Sequence, residues 1–152
     1  MIHIREASAG DLPVLGRLFD EYRQFYRLPS DLEKATAYLK DRLGGRDSVV
    51  LVAADEGEQL IGFTQLYPTW CSLLAGPVYV LYDLYVATQA RRRGVGRALL
   101  EAAAGRGRRD GKLRMTLSTA RTNLDAQSVY ESLGWERDEE FYVYNLSTLA
   151  AD

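Results

Sequence analysis

The sequence has few of the residues from which covalent and metal-based active sites are usually built. Its 152 residues include one cysteine, Cys71, and one histidine, His3. A single cysteine excludes an internal disulfide framework and a metal site built from cysteines. A single histidine beside the N-terminus argues against His-based metal clusters and Ser-His-Asp triads. We therefore predict no metal site.

Long apolar runs are also missing. No stretch approaches the roughly 20 apolar residues of a membrane-spanning helix. The first ten residues carry charges and no apolar run, unlike a signal peptide. The expectation is a cytoplasmic protein that does not bind membranes.

The composition is that of an ordinary globular domain. Hydrophobic residues make up 47% and charged residues 26%, and 21 acidic against 19 basic residues give a net charge of −2. This balance argues against a disordered tail and against a strongly basic nucleic-acid binder. From the length we predict one domain, residues 1–152, with one core.

The basic residues are concentrated in one segment. Nine of the 19 lie between Arg91 and Arg114, where only Glu101 and Asp110 oppose them, so this segment is +7 and the remainder is −9. Two interpretations stay open at this point: a solvated helix face or an anion site. The acidic remainder favours a cationic partner or substrate.

Hydrophobic periodicity predicts alternating helices and strands. Strands are predicted at residues 1–7, 48–54, 60–67, 78–86, 113–117, 135–137 and 141–146. Helices are predicted near residues 12–26, 31–43, 94–109 and 123–133, and an apolar loop at 68–77. We therefore predict an α/β (α+β) domain whose mixed sheet of six to seven strands is flanked by about four helices.

The junction after the strand that ends at Val86 carries the strongest chemical signal. Three arginines begin at Arg91, and Gly94-Val95-Gly96 then opens a helix. The first N–H groups of a helix lack internal partners, glycine leaves them accessible, and arginine binds phosphate oxygens. The spacing Arg91-x-x-Gly94-x-Gly96 suits a pyrophosphate. It is neither a P-loop nor a dinucleotide fingerprint, because no Gly-Lys-Ser/Thr follows and Leu99 takes the third glycine position.

Two segments resemble motifs of one enzyme family. The run at 84–100, LYVATQARRRGVGRALL, resembles the acyl-coenzyme A motif of the GNAT N-acetyltransferase superfamily. Downstream, Asn123, Ala126, Tyr130 and Gly134-Trp135 resemble the C-terminal motif of that superfamily. The resemblance implies a GNAT-like fold with a splayed central strand pair, and direct transfer of an acetyl group from acetyl-CoA to a primary amine.

The resemblance also implies which residues bind acetyl-CoA. Backbone amides from Arg92 to Ala98 would hold the pyrophosphate, and backbone groups of Leu84 and Val86 the acetyl carbonyl and pantetheine arm. The predicted cofactor-binding residues are Leu84, Tyr85, Val86, Arg91, Arg92, Arg93, Gly94, Val95, Gly96, Arg97, Ala98, Asn123, Gln127 and Tyr130.

Two residues are catalytic candidates. By resemblance, Tyr130 is a general acid for the thioester sulfur; the alternative is a core aromatic residue. Asp83 lies inside an apolar strand, where an unpaired charge is rare, so it is either a structural carboxylate or an anchor or water-linked base for the amine. A base is needed because deprotonating an amine of pKa ~10.4 at pH 7 costs roughly 4 to 5 kcal/mol. Cys71 without a histidine makes a covalent route unfavourable.

The amine acceptor is less defined. Glu21, Tyr22 and Tyr26 lie where the family usually builds its substrate wall, and Tyr67 and Trp70 flank the apolar loop; for all five, packing is the alternative role. The candidates are a polyamine, a diamine, an amino acid or a lysine side chain. The alternative functions are an inactive acyl-CoA-binding or regulatory domain and a nucleic-acid module, which the net charge disfavours. Homodimers are common in the family that the chain resembles, and by this resemblance the apolar loop and the final strands could support one; the oligomeric state stays open.

Overall fold

The computed structural model describes residues 1–150, which form two compact units. The first unit, Met1–Ser118, contains the sheet and three helices, and the second begins at Thr119. The strands are β1 (His3–Glu6), β2 (Val49–Ala54), β3 (Leu60–Cys71), β4 (Gly76–Val86) and β5 (Met115–Thr116). The helices are α1 (Leu12–Phe25), α2 (Leu32–Gly45), α3 (Val95–Arg109) and α4 (Leu124–Ser132). None of the helices in residues 1–150 combines the length and the apolar character of a membrane-spanning segment.

The five strands form one mixed sheet in the order β1-β2-β3-β4-β5. Neighbours are antiparallel up to β4, whereas β5 runs parallel to β4 and α3 makes the crossover that parallel strands require. Strands β4 and β5 pair at two positions, Tyr79 with Met115 and Val80 with Thr116. The rest of β4, up to Val86, extends beyond this pairing, as the predicted splayed pair requires.

Helices cover both faces of the sheet. Successive residues of a strand point to opposite faces. On β3, Phe63 contacts Phe19 of α1, with ring centroids 6.0 Å apart, so α1 lies on that face. Its neighbour Gly62 faces α3, and an added Cβ would lie 3.3 Å from the side chains of Val95 and Leu99. Glycine at this position therefore allows α3 to approach the sheet closely.

A β-bulge at Tyr82 reverses the facing of side chains along β4. Leu81 lies opposite Leu66, and Asp83 lies opposite Gln65, so Tyr82 is the additional residue. Before the bulge, odd-numbered side chains face α3, as Tyr79 does through its hydrogen bond to Asp110. After it, they face α1 and α2. The bulge thereby directs the Asp83 carboxylate towards the helical pair, which is a typical use of bulges near functional sites.

The predicted loop at 68–77 is wrong, because most of this segment is a β-hairpin. Strand β3 continues to Cys71, and β4 begins at Gly76. Pro68 pairs with Tyr79, and Pro77 pairs with Trp70. Proline is excluded from a strand only where the ladder needs its missing N–H, so the two prolines do not prevent pairing here.

The predicted strands at 135–137 and 141–146 are also wrong, and the described sheet has five strands instead of six to seven. The alternating apolar pattern at 141–146 favours a strand, but backbone N–H groups at the start of this segment are bonded within the preceding turn. The Asp138 carboxylate accepts hydrogen bonds from the backbone N–H groups of Glu140 and Phe141, at 2.9 and 3.3 Å. Such local bonds compete with strand pairing.

Candidate active site

An aromatic cavity of about 740 Å³ lies between the helical pair α1–α2 and the strands β3 and β4. This volume lies within the range of small-molecule sites. The cavity is lined by Phe19, Tyr22, Arg23, Tyr26, Leu28, Lys34, Ala35, Tyr38, Tyr67, Val80, Leu81, Tyr82, Asp83 and Ser118. Four of the predicted acceptor residues, Tyr22, Tyr26, Tyr67 and Asp83, are therefore brought together here.

Helix α1 supplies one wall of the cavity because its residues recur at helical spacing. Phe19, Tyr22, Arg23 and Tyr26 follow the pattern i, i+3, i+4, i+7, which places them on one face. The ring of Phe19 stacks on Tyr38 of α2 with centroids 5.6 Å apart. The rings of Tyr22 and Tyr26 meet edge to face at 5.1 Å. These contacts fix the rings before any ligand binds.

Asp83 is the one carboxylate of the cavity wall, and it is 4% exposed. Its Oδ2 accepts a hydrogen bond of 2.8 Å from Gln65 Nε2, and Gln65 Oε1 accepts one of 2.8 Å from Ser48. Burial raises the pKa of Asp83, although the bond from Gln65 favours the charged form. A carboxylate held in this way can bind an ammonium group and take up a proton more readily than an exposed one.

Three tyrosines of the cavity hold their hydroxyl protons more firmly than an exposed tyrosine does. Burial raises the pKa of Tyr22, Tyr26 and Tyr67 above the usual value for a phenol. The Tyr22 hydroxyl donates to the carbonyl of Tyr82 at 3.3 Å, and the hydroxyls of Tyr38 and Tyr67 bond to each other. These groups can orient a substrate by hydrogen bonds, but they are poor bases.

Two predicted acceptor residues lie outside this lining. The Glu21 carboxylate accepts a hydrogen bond of 3.3 Å from the Tyr85 hydroxyl. Trp70 lies opposite Pro77 near the end of the β3–β4 hairpin and is 76% exposed.

The N-terminus of α3 presents backbone donors beside open space. The residue before the helix, Gly94, has φ +79°, and Arg92 has φ +64°. The N–H of Ala98 bonds to the Gly94 carbonyl at 3.0 Å, so the N–H groups of Val95 to Arg97 precede this first helical bond. A Cβ at Gly94 would meet no atom within 4 Å, and one at Gly96 only Val86, at 3.9 Å. This region, called the amide cradle below, fits a diphosphate.

The arginines beside the cradle differ in their contacts. Arg91 Nε donates to the Val86 carbonyl at 3.1 Å, and its guanidinium lies 5.5 Å from the centre of the Tyr85 ring. The Arg93 guanidinium donates to the Gln89 carbonyl at 3.1 Å. Arg91 therefore stabilises the end of β4, and all three arginines are exposed.

The last residues of β4 lead towards the cradle. Leu84 pairs with Thr64 and Val86 with Gly62 on the β3 side. The described pairing with β5 stops at Val80, so the other edge of the strand is not covered by β5 at these residues. These backbone groups are the ones that the family resemblance assigns to the acetyl and pantetheine groups.

In the second unit, α4 carries the remaining predicted residues. Asn123 caps the helix, because its side chain accepts a bond of 3.3 Å from the Ala126 N–H. The Gln127 side chain donates to the carbonyls of Ala120 and Arg121, at 3.0 and 3.1 Å, and so holds the preceding loop. The half-buried Tyr130 ring lies 6.3 Å from that of Trp135.

Sequence reasoning missed several residues of this site, and four of them matter for its chemistry. Arg23, Lys34 and Tyr38 line the cavity, and Gln65 binds Asp83. Gln65 could have been found, since it is a polar residue inside an apolar strand, as Asp83 is. The other three occupy helix positions that also suit exposed residues, and nothing local distinguishes them.

The comparisons with known proteins agree with this architecture. The sequence profile described as the Acetyltransferase (GNAT) family matches residues 15–135. The chain belongs to this family. It is 44% identical over 149 residues to the uncharacterized N-acetyltransferase YhfO of Bacillus subtilis, covering 98% of this chain and 99% of that protein. The crystal structure of a probable acetyltransferase is 40% identical with a TM-score of 0.90, and 99% of each chain is covered.

A more distant structure shares the fold alone. It is an aminoglycoside N-acetyltransferase in complex with CoA, with 22% identity, a TM-score of 0.80 and coverage of 96% and 95%. The predicted family and the mixed α/β GNAT fold are therefore confirmed, and the protein is an acetyltransferase of the GNAT type.

Proposed function

We propose that this GNAT acetyltransferase transfers the acetyl group of acetyl-CoA directly to a primary amine bound in the aromatic cavity. The proposal rests on one observation about β4. Its residue Asp83 supplies the buried carboxylate of the cavity, and three residues later the strand ends before the loop that leads to the amide cradle. An amine site and a diphosphate site thus flank one strand within the first unit.

The amide cradle would hold the diphosphate of acetyl-CoA. The N–H groups of Val95, Gly96 and Arg97 lie at the positive end of the helix dipole, which favours an anion. Leu84 and Val86 would bond the acetyl and pantetheine groups through their backbone, and Asn123 and Gln127 belong to the same predicted set. When bound, acetyl-CoA supplies the thioester that the amine attacks.

Asp83 prepares the amine. Its carboxylate attracts the ammonium form and can accept the proton, directly or through a water molecule, that the nitrogen must lose before it forms a bond to carbon. The raised pKa of Asp83 reduces the mismatch between this carboxylate and an amine of pKa ~10.4. Tyr130 would return a proton to the sulfur as the carbon–sulfur bond breaks, as the family resemblance implies.

The decisive experiment follows free thiol release from acetyl-CoA with a panel of primary amines, together with calorimetric titration of acetyl-CoA. We expect saturable binding near micromolar concentration and thiol release that depends on the amine. Absence of binding would contradict the proposal. Binding without amine-dependent thiol release across the panel would instead support an acyl-CoA-binding or regulatory domain.

A further inference from the structure

The charges of the aromatic cavity indicate what else the amine carries. Three lining side chains are charged: the carboxylate of Asp83 and the cations of Arg23 and Lys34. The cavity therefore has one more positive than negative group on its wall, although the chain as a whole is acidic.

The Arg23 guanidinium lacks a structural partner at its buried end. Its Nη1 atom is buried and has no hydrogen-bond partner among the described residues. Asp20, one turn earlier on α1, attracts the guanidinium electrostatically, but no hydrogen bond joins the carboxylate to Nη1. The Asp20 carboxylate instead accepts bonds from the Ser30 hydroxyl at 2.6 Å and from the Asp31 N–H at 2.8 Å.

An unpaired buried donor costs free energy unless a ligand supplies an acceptor. Guanidinium binds carboxylate and phosphate groups through paired N–H donors, and surrounding apolar rings strengthen the attraction. Arg23 lies between Tyr22 and Tyr26 on the cavity face of α1, so an anion bound to it would lie in the same cavity as Asp83.

We propose that the acceptor is an amine that also carries an anionic group, a carboxylate or a phosphate. Asp83 binds the ammonium group, while Arg23, with Lys34 on the same cavity wall, binds the anion. This inference rests on the proposed acetyl transfer to an amine in this cavity. It favours an amino acid or a phosphorylated amine over the polyamines and diamines, whose second cation would face two positive groups.

The test compares acceptors that differ only in the anionic group, with the full-length enzyme and a thiol-release assay. The carboxylate pairs are L-phenylalanine with 2-phenylethylamine and L-lysine with 1,5-diaminopentane. The phosphate pair is O-phosphoethanolamine with ethanolamine. In the carboxylate pairs, or in the phosphate pair, we expect the compound that carries the anionic group to have a kcat/KM about tenfold or more above that of its partner.

Substitution of Arg23 identifies the group responsible. R23Q should reduce the advantage about tenfold and R23K should restore part of it, whereas R17Q, an exposed position of the same helix, should preserve it. If the amine without the anionic group has an equal or higher kcat/KM in all pairs, the inference is overturned. It is also overturned if R23Q preserves the ratio of the two kcat/KM values. Loss of acetyl-CoA binding and of thiol release with every amine would contradict the proposed function instead.

Two thermal measurements do not depend on turnover. R23M replaces the guanidinium by an unbranched apolar side chain and so removes the buried, unbonded Nη1. Its Tm should therefore be equal to or higher than that of the wild type. A lower Tm would show that the arginine is structural and would contradict the inference. The preferred anionic probe, or each anionic probe if there is no turnover, is then added at 10 mM. It should raise the Tm of wild type and R17Q but not that of R23Q, and the absence of any rise in wild type would overturn the inference.

Discussion

At the residue scale, the proposed acetyl transfer depends on a carboxylate buried in a central strand. Asp83 is unusual in the sequence because it interrupts an apolar run. In the structure it lines the aromatic cavity, where Gln65 Nε2 donates to its Oδ2 at 2.8 Å and a hydrogen bond from the Tyr22 side chain also favours its charged form. The two oxygens of a carboxylate can accept about four hydrogen bonds, so two donors leave capacity for an ammonium ligand.

Asp83→Asn should separate catalysis from folding. Asparagine keeps the shape and the acceptor for Gln65, but it can neither bind an ammonium ion strongly nor take up a proton. We expect kcat/KM for the amine to fall about 100-fold or more, while the Kd of acetyl-CoA stays within about twofold. A comparable loss of both would assign Asp83 to cofactor binding.

The same variant has a predicted pH dependence. Because burial raises the pKa of Asp83, its ionisation opposes folding as pH rises from the ordinary carboxyl pKa through the folded value. Above that range, D83N should have a Tm equal to or higher than that of the wild type. A clearly lower Tm at pH 8 would indicate a stabilising ion pair.

Tyr130→Phe tests the predicted general acid. Removing the hydroxyl should lower kcat far more than the affinity for acetyl-CoA, because a proton donor acts on the leaving sulfur in the transition state. The measurement is kcat with a saturating amine beside the Kd from titration. Equal losses in both quantities would point to a structural tyrosine.

Arg23 illustrates why some site residues cannot be found from one sequence. On a helical wheel it lies beside Phe19 and Tyr22, at the border where a cation usually extends into water. Its Nη1 is buried in the folded structure, and that burial cannot be deduced from the helix segment alone. Asp83 and the glycines could be identified because their positions are chemically unusual within their own segments.

At the element scale, the β4–α3 junction is the part of the site that the sequence predicts best. A turn rich in arginine and glycine, followed by a regular apolar repeat, specifies both the helix start and its open amides. The segment after Gly134 could not be assigned from its sequence pattern in the same way, because a strand forms only where another backbone pairs with it. The alternating residues at 141–146 have no strand partner among the described residues.

A matched pair of substitutions on α3 tests the amide cradle. Gly96→Glu places a negative side chain at the cradle. Gly105→Glu adds the same charge about two and a half turns further along the helix, where a Cβ would meet no atom within 4 Å. We expect Gly96→Glu to weaken acetyl-CoA binding about 30- to 100-fold, because like charges repel, and Gly105→Glu to change it less than about threefold. The Tm should not fall for Gly96→Glu, because glutamate is favourable in a first helical turn.

An ion pair joins strand β1 to the residue that precedes α1, and its contribution to stability depends on pH. Arg5 bonds to both oxygens of Asp11 at 2.7 and 2.8 Å, and this hydrogen bonding lowers the pKa of Asp11 to about 2. The stabilisation is present above the ordinary carboxyl pKa and is lost as pH falls towards 2.

Asp11→Asn should therefore lower the free energy of unfolding by about 1 kcal/mol at pH 7, after allowance for the partly exposed arginine. The difference should shrink below pH 4 and vanish only below pH 2, where the carboxyl is protonated in the folded state too, as urea unfolding at several pH values can show. Asp41→Asn, at an exposed helix position, is the control and should change stability by less than about 0.5 kcal/mol. A difference that is independent of pH would exclude the ion pair as its cause.

At the scale of the whole molecule, positive charge is concentrated in one segment of the chain and negative charge in the remainder, which suits an anionic cofactor and an amine acceptor. The segment from Arg91 to Arg114 is strongly positive and contains the amide cradle, whereas the remainder is negative. Coenzyme A is a polyanion, and a local positive field raises its association rate without making the protein a general polyanion binder. The homodimer, the cytoplasmic location and the single domain stay predictions.

The central claim is that the first amides of α3 hold the diphosphate of acetyl-CoA. Its most direct test is the titration of ¹⁵N-labelled protein with acetyl-CoA, observed by amide NMR. We expect the largest saturable shifts on the amides of Val95, Gly96 and Arg97, and we expect no such shifts with S-acetylpantetheine, which lacks the diphosphate. Shifts that leave these three amides unchanged, or that are equal for both compounds, would contradict the claim.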